Sequence, residues 1–434
     1  MTPKTTDFVK VPLATGVYVF LAKLGLLFGL CQHNVTLFWP AGGFGLAILL
    51  LGNKNYILAI LIGTFLTGIL GGNVPSVSLQ MALGNGLESW TAFYLLRKMR
   101  FSTRLDCIRD YWLLILVATT TSTISAIAGV MSLWHADEIA AANLPTHFLR
   151  WWMADVLGIV FITPLILFWN QPLGSTLKTT QKPELAIVAT LIFAVGQAVF
   201  WDGRLLGMPD TFKPILFWLM PLVIWSGTRL GKQWTASLLL MLFTLALWGS
   251  HLGLGYFGDD NALGGLGNFW LFAMVASVCG VGLAIGHSER LALHQRLSLT
   301  QFAMDNAYVE IYWLNENSHI HYANHQACKT LDYDQSELQR LSVPDIAPQY
   351  NNKTWAEHWQ QLKRDKTLFF ETLHRRKDGS IFPVEVVANT SALEVRNTTS
   401  LFAATSVRAR ITKPNSLPAS NFFTTCLTTL PTHV

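Results

Sequence analysis

Charge is scarce in this chain. Only 13% of its 434 residues are Asp, Glu, Lys or Arg, about half the ~25% of an ordinary soluble domain. The five cysteines, Cys31, Cys107, Cys279, Cys328 and Cys426, include no CxxC pair, and no Cys/His set has zinc spacing. A disulfide framework and a structural zinc are therefore not expected. No phosphate-cradling P-loop occurs. Nor does a basic stripe interleaved with aromatics, so the net charge of +5 does not indicate nucleic acid. The N-terminal apolar stretch has no small-residue cleavage site and is followed by more such stretches, so it does not read as a cleaved signal peptide. What fills the chain is apolar. Hydrophobic residues make up 51%, with 16 Trp and 26 Phe, and the mean hydropathy is +0.36. A disordered chain and a coiled coil are excluded, and a membrane protein is indicated.

The charge is unevenly placed. Residues 1–287 carry 28 charged side chains and residues 288–434 carry 29. The first density suits membrane spans, the second a small soluble domain. A span needs about 20 apolar residues. Ten segments qualify or come close: 11–30, 37–51, 56–70, 76–96, 111–134, 151–169, 184–201, 212–228, 233–249 and 266–286. The second and third are short and separated only by Gly52-Asn53-Lys54-Asn55, so they read either as two spans or as a re-entrant hairpin. The bundle then has eight to ten helices, an even number either way, and both termini face the same side. Lys and Arg crowd alternate loops, with Arg97, Lys98, Arg100, Arg104 and Arg109 in one of them. Residues 31–36, 71–75, 135–149 and 250–265 have none. Arg204 and Lys213 alone break the alternation. By the positive-inside rule both termini of this multi-pass chain are expected to be cytoplasmic.

Ionisable residues inside spans are costly and mark function by default. Lys23, Glu88 and Asp155 are the clear cases, and Lys23 is expected to neutralise one of the carboxylates. Three readings stand: a structural ion pair, a ligand or ion site, or snorkelling of Lys23 to the interface. Trp39 and Pro40, in Phe38-Trp39-Pro40-Ala41-Gly42-Gly43, read as an interfacial Trp and a helix-starting Pro before small residues that permit close helix approach. Arg150 opens the run Arg150-Trp151-Trp152-Met153-Ala154-Asp155.

The ordered set FWPAGG, Gly63-Thr64-Phe65, Gly84-Asn85-Gly86-Leu87-Glu88 and RWWMADVLGIVFITP resembles the first type of the bacterial membrane-associated sensor (MASE) family, over about residues 11–290. That resemblance implies an integral membrane sensory domain, carried in the family at the N-terminus of histidine kinases and GGDEF or EAL proteins. It gives a role rather than a ligand. Trp39, Pro40, Arg150, Glu88, Asp155 and Lys23 become the candidate functional residues of this domain, which spans 11–287 after a cytoplasmic N-terminus, 1–10.

Residues 287–306 contain no Gly or Pro, so the last span should continue as a connector helix over 288–301. From Tyr308 the pattern becomes two strands, short helices, a longer helix with Trp355, Trp359 and Leu362 on one face, and three more strands. Asp378-Gly379 between β-rich runs predicts a tight hairpin with both central residues at positive φ. The order, and runs such as Arg376-Lys377-Asp378-Gly379-Ser380-Ile381-Phe382-Pro383-Val384, resemble a PAS domain over residues 302–412. Asp332 stands where that family usually has Gly. The expected fold class is thus a multi-span α-helical membrane bundle plus a cytoplasmic α+β PAS domain. Tyr312, Asn324 and Trp355 are its candidate pocket residues. Cys328 reads as a small core residue rather than a flavin adduct site. The haem position falls nearer Thr354 than His358, so no cofactor is expected.

Residues 413–434 read as a disordered or truncated tail, uncharged from Asn415 on. No phosphoacceptor His in a dimerisation helix, nucleotide-binding glycine set, GGDEF run or EAL run is found. The expected function is a non-catalytic inner-membrane signal sensor. Its partners are the lipid bilayer, a small-molecule signal of unknown identity, a second copy paired through the connector helix and PAS domain, and a separate output protein, with no nucleic acid and no metal. Two alternatives stay open: a truncated sensor histidine kinase or diguanylate cyclase, and a secondary transporter with a regulatory domain.

Overall fold

The computed structural model describes residues 7–28, 36, 38–171, 181–203, 216–257, 264–395 and 398–409. The tail expected over 413–434, and Arg204 and Lys213, lie outside these. The chain divides into two compact units, Met1–Leu293 and His294–Val434.

The first unit is helical: α1 (Asp7–Leu27), α2 (Pro40–Leu51), α3 (Ile57–Leu70), α4 (Pro75–Lys98), α5 (Ile108–His135), α6 (Leu144–Trp169), α7 (Gln181–Phe200), α8 (Leu219–Arg229), α9 (Gly231–His251) and α10 (Gly264–Asp305). A helix occupies each of the ten expected segments. Six of them, α1, α5, α6, α7, α9 and α10, are long and apolar enough to cross a membrane. At ~1.5 Å per residue, α2 and α3 extend only about 18 and 21 Å, less than a ~30 Å hydrocarbon core. The division between the units falls within α10.

Helix α4 is built inside out. Leu79, Leu83, Leu87, Trp90 and Tyr94 are exposed, while Ser78, Asn85, Glu88 and Ser89 are buried. Apolar side chains outside and polar ones inside suit a helix whose outer solvent is lipid. Glycines let the helices touch backbone to backbone. A Cβ on Gly43 of α2 would stand 2.1 Å from the Gly158 carbonyl oxygen of α6, and one on Gly158 would stand 2.1 Å from that of Trp39. Phenylalanines fill the later part of the bundle: Phe161 and Phe243 have ring centroids 4.8 Å apart, and Phe200 stacks on Phe257 at 5.6 Å.

The second unit carries a five-stranded antiparallel sheet of β1 (Glu310–Leu314), β2 (Ile320–Ala323), β3 (Thr367–Arg375), β4 (Ile381–Val395) and β5 (Thr398–Ala409), in the order β2-β1-β5-β4-β3. Between β2 and β3 come α11 (His325–Leu331), α12 (Gln335–Leu338), α13 (Val343–Ile346) and α14 (Asn352–Asp365). The core joins the inner residues Tyr312, Leu314, Val384 and Val386 of the sheet to Leu331, Trp355, Trp359 and Leu362 of the helices. The Asp-Gly hairpin differs from expectation: only Gly379 has positive φ, at 86°. Arg376 N–H bonds the Ser380 carbonyl and Gly379 N–H bonds that of Arg376. A three-residue loop, Lys377–Gly379, closes the hairpin, with glycine at its left-handed position.

Candidate functional site

The site grows from α5, whose Ser122 and Ser125 lie one turn apart on its buried face. Ser122 Oγ donates to Glu88 Oε1 of α4 at 2.7 Å, and Ser125 Oγ donates to Asp155 Oδ2 of α6 at 2.6 Å. Both carboxyl groups are almost fully buried. Beside them Thr64 of α3 donates to the Tyr18 hydroxyl of α1 at 2.9 Å, and Asn85 Nδ2 donates to Thr64 Oγ1 at 3.4 Å. Trp39 N–H bonds the Ala154 carbonyl at 3.2 Å, and Thr163 Oγ1 donates to the Gly43 carbonyl at 2.9 Å. Four motifs distant in sequence thus meet in one polar interior.

A cavity of about 320 Å³ opens beside this network. Trp39, Thr64, Thr67, Asn85, Trp151 and Asp155 line its inner part. Thr36, Gly71, Asn73, Leu133 and Glu138 line it where helices end and connect. All of these but Leu133, in the last turns of α5, lie in loops that carry no Lys or Arg. The volume falls within the range of small-molecule pockets, about 300–1,000 Å³.

Lys23 does not fulfil its expected role. No ion pair joins it to Glu88 or Asp155. The buried stripe of α1 runs Ala14, Thr15, Tyr18, Ala22, Gly25, and Lys23 stands off it, half-buried. The α1 side chain that reaches the network is Tyr18. Pro40 is buried at the first position of α2, where its missing N–H costs no helix bond. Trp39 and Asp155 line the cavity. Glu88 lies in the network without lining it, and Arg150 is half-buried in the first half of α6. Tyr18, Thr64, Asn85, Ser122 and Ser125 were not singled out in the sequence. The one signal for the serines is the hydroxyl-rich run 119–125 in an apolar helix.

The second unit holds a smaller cavity, about 40 Å³, lined by Tyr312, Trp355, His358, Phe370 and His374 among others. Two of its three expected residues are therefore present. Asn324 is not: its side chain is wholly engaged elsewhere. Asn324 Oδ1 accepts from the N–H groups of Ile311 and Ala327, capping α11, and Nδ2 donates to the carbonyls of Met304 and Val309. Asn324 is a clamp between β1, α11 and the end of α10, and has no capacity left for a ligand. Tyr312 donates to buried Glu310 at 2.7 Å, and burial, with the adjoining carboxylate, holds the phenol well above its ordinary pKa. His374 Nδ1 stands 3.6 Å from Glu310 Oε2. Cys328 is half-buried against the core, its thiol pushed up by burial, which suppresses the reactive thiolate. No group of three or more His, Cys, Asp or Glu poised for a metal occurs among the described residues.

A helical unit with apolar side chains outward, a polar interior and an open cavity, followed by a small α+β domain, defines a multi-span membrane sensor. The chain belongs to the MASE1 family, whose model matches residues 11–302, and a PAS-domain model follows it at residues 306–405. Solved structures similar to the second unit include a PAS domain from a two-component sensor histidine kinase. It is 23% identical, with 27% of this chain and 99% of that one covered and a TM-score of 0.24. Another is the PAS domain of an HTR-like protein from Haloarcula marismortui, 23% identical, with 28% and 97% covered and a TM-score of 0.26. A third is the PAS domain of nitrogen regulation protein NR(II) from Vibrio parahaemolyticus, 16% identical, with 26% and 98% covered and a TM-score of 0.21. No curated protein matches the chain at a significant level. The matched families are MASE1 and PAS, and no catalytic-domain family is among them.

Proposed function

We propose that the chain is a non-catalytic signal sensor of the bacterial inner membrane. Its bundle takes up a small molecule in the cavity beside Asp155, and the resulting change passes along α10 to the PAS unit, which conveys it to an output module. The observation that carries this reading is α10 itself. One 42-residue helix contributes Phe269, Phe272, Ala276 and Ile285 to the core of the first unit. Its last turn is tied into the second, where Tyr322 donates to Asp305 and Asn324 to the Met304 carbonyl. A helix transmits displacement of one end to the other, because its hydrogen bonds resist local stretching.

The alternation of Lys and Arg between loops supports cytoplasmic termini and a cytoplasmic PAS unit, with the cavity opening on the opposite side. Leu291, Leu293, Leu297, Leu299 and Phe302 are exposed along α10, which supports pairing with a second copy there.

The test is a chimera in which a histidine-kinase output with a transcriptional reporter follows residue 409. Asp155→Asn keeps the shape of the side chain and replaces its carboxyl group by an amide that cannot ionise. We expect it to change reporter output severalfold at unchanged membrane level. Unchanged output, with Glu88→Gln equally silent, would reduce the two carboxyl groups to packing elements and overturn the proposal.

A further inference from the structure

The unused hydrogen-bonding capacity of the cavity points to the chemistry of its ligand. Asn85 is 5% exposed and lines the cavity, yet its Oδ1 has no hydrogen-bond partner. Thr64 donates to the Tyr18 hydroxyl and accepts from Asn85 Nδ2. That leaves an unpaired acceptor on a residue that lines the cavity, and a buried acceptor left unpaired is destabilising. Asp155 adds a carboxyl group whose bonded partners, the Ser125 hydroxyl at 2.6 Å and the Trp151 side chain, are both neutral. Thr67 donates its proton to the Gly63 carbonyl at 2.7 Å, so it too presents lone pairs. Glu138 brings a second carboxyl group to the outer part. No Lys, Arg or His lines the cavity among the described residues. The neutral rings of Trp39 and Trp151 complete the wall, and indole faces attract cations.

The lining is thus rich in acceptors, carboxyl groups and aromatic rings. An anion would meet two carboxyl groups with no cationic side chain among the described residues. A neutral apolar molecule would leave Asn85 Oδ1 unpaired. We propose that this cavity binds a small organic cation, a primary ammonium compound, with its N–H groups shared between Asp155 and Asn85 Oδ1 and its carbon chain against Trp39 and Trp151. At ~30 Å³ per water-sized group, 320 Å³ holds up to about ten non-hydrogen atoms. The proposal rests on reading the cavity as the sensory site and adds the class of compound sensed.

The full-length chain in nanodiscs of zwitterionic lipid is titrated with butylammonium and butane-1,4-diammonium. The matched neutral probes are 1-butanol and butane-1,4-diol, and butanoate is the anion. Binding is read by tryptophan fluorescence and calorimetry, with empty discs subtracted. We expect saturable binding of the ammonium compounds at least tenfold tighter than that of the alcohols or butanoate. Asp155→Asn should weaken it at least tenfold. Glu138→Gln, an exposed substitution that leaves the helices intact, should weaken it by a smaller factor, and Asn85→Ala should lower affinity without a change of charge. Ammonium compounds that bind no tighter than the alcohols, or that ignore Asp155→Asn and Glu138→Gln alike, would overturn the proposal. Binding of the diol or butanoate that Asp155→Asn abolishes would overturn the cation class and uphold the sensory cavity. Selective ammonium binding in a chain whose chimera stays silent to Asp155→Asn would uphold the class and overturn the sensory reading.

Discussion

Polar side chains of one type have different fates in the two units. Asn324 meets four backbone groups and is complete, whereas Asn85, on a cavity wall, leaves its buried carbonyl oxygen unpaired. Sequence identifies both as asparagines next to motif residues and cannot say which amide is already occupied, because the partners lie up to 21 positions away. Separations of 34 and 30 positions hide the serine partners of Glu88 and Asp155, since hydroxyls in apolar helices usually bond their own backbone. For Lys23 the cause is helical phase: one residue along α1, Ala22 is buried, whereas Lys23 lies on the flank. At this scale His358 gives a pH test. Its ring packs 4.7 Å from Phe370 and 5.4 Å from Tyr350, and burial lowers its pKa below the ordinary 6.5. The unfolded chain therefore takes up the proton first as pH falls. Stability present above about pH 6.5 is lost on acidification toward the folded pKa. His358→Phe should remove that loss. Pulse proteolysis within residues 306–409 should show the variant gaining on the wild type between pH 7.5 and 5.5, and parallel curves would refute the assignment.

Elements were legible where period and composition speak for themselves. Ten apolar stretches became ten helices, and β-rich runs became the five strands. Two short helices, α11 and α12, were legible as well, but α13 was not: it has four residues, and its start is set by Asp345 Oδ2, which accepts from the N–H and the hydroxyl of Ser342. The Asp-Gly loop took a three-residue form because pairing of Arg375 with Ile381 leaves five residues between the strand ends. Asp332, standing where the resembled family has glycine, closes α11 at φ 59°, a left-handed position that Asp tolerates better than most residues. What sequence suggested for FWPAGG, close helix approach, holds in a specific form. Trp39–Gly43 lies backbone to backbone against Ala154–Gly158, so two motifs 115 residues apart form one contact, as the Trp39 N–H bond to the Ala154 carbonyl shows. Gly158→Ala puts a methyl carbon within 2.1 Å of the Trp39 carbonyl oxygen. Separating α2 from α6 should cost about 1–3 kcal/mol. A lower melting temperature of the detergent-solubilised chain is the expected result. A melt equal to wild type would show that the helices are free to part.

For the whole molecule, composition already divided the chain into a charge-poor part and an ordinary one, because lipid and water select different surfaces. What composition could not convey is the position of the cavity, which depends on how five helices and the segment leading into α2 converge. The central claim is that a change in this interior reaches the PAS unit. Hydrogen exchange of the full-length chain in nanodiscs, comparing wild type with Asp155→Asn, tests it without requiring a ligand or an output domain. Exchange should change in peptides of the first unit around residues 36–43 and 122–125, and also at residues 304–331, where α10 joins Asn324 and Tyr322. A change confined to the first unit, with residues 304–331 exchanging as in wild type, would contradict the account.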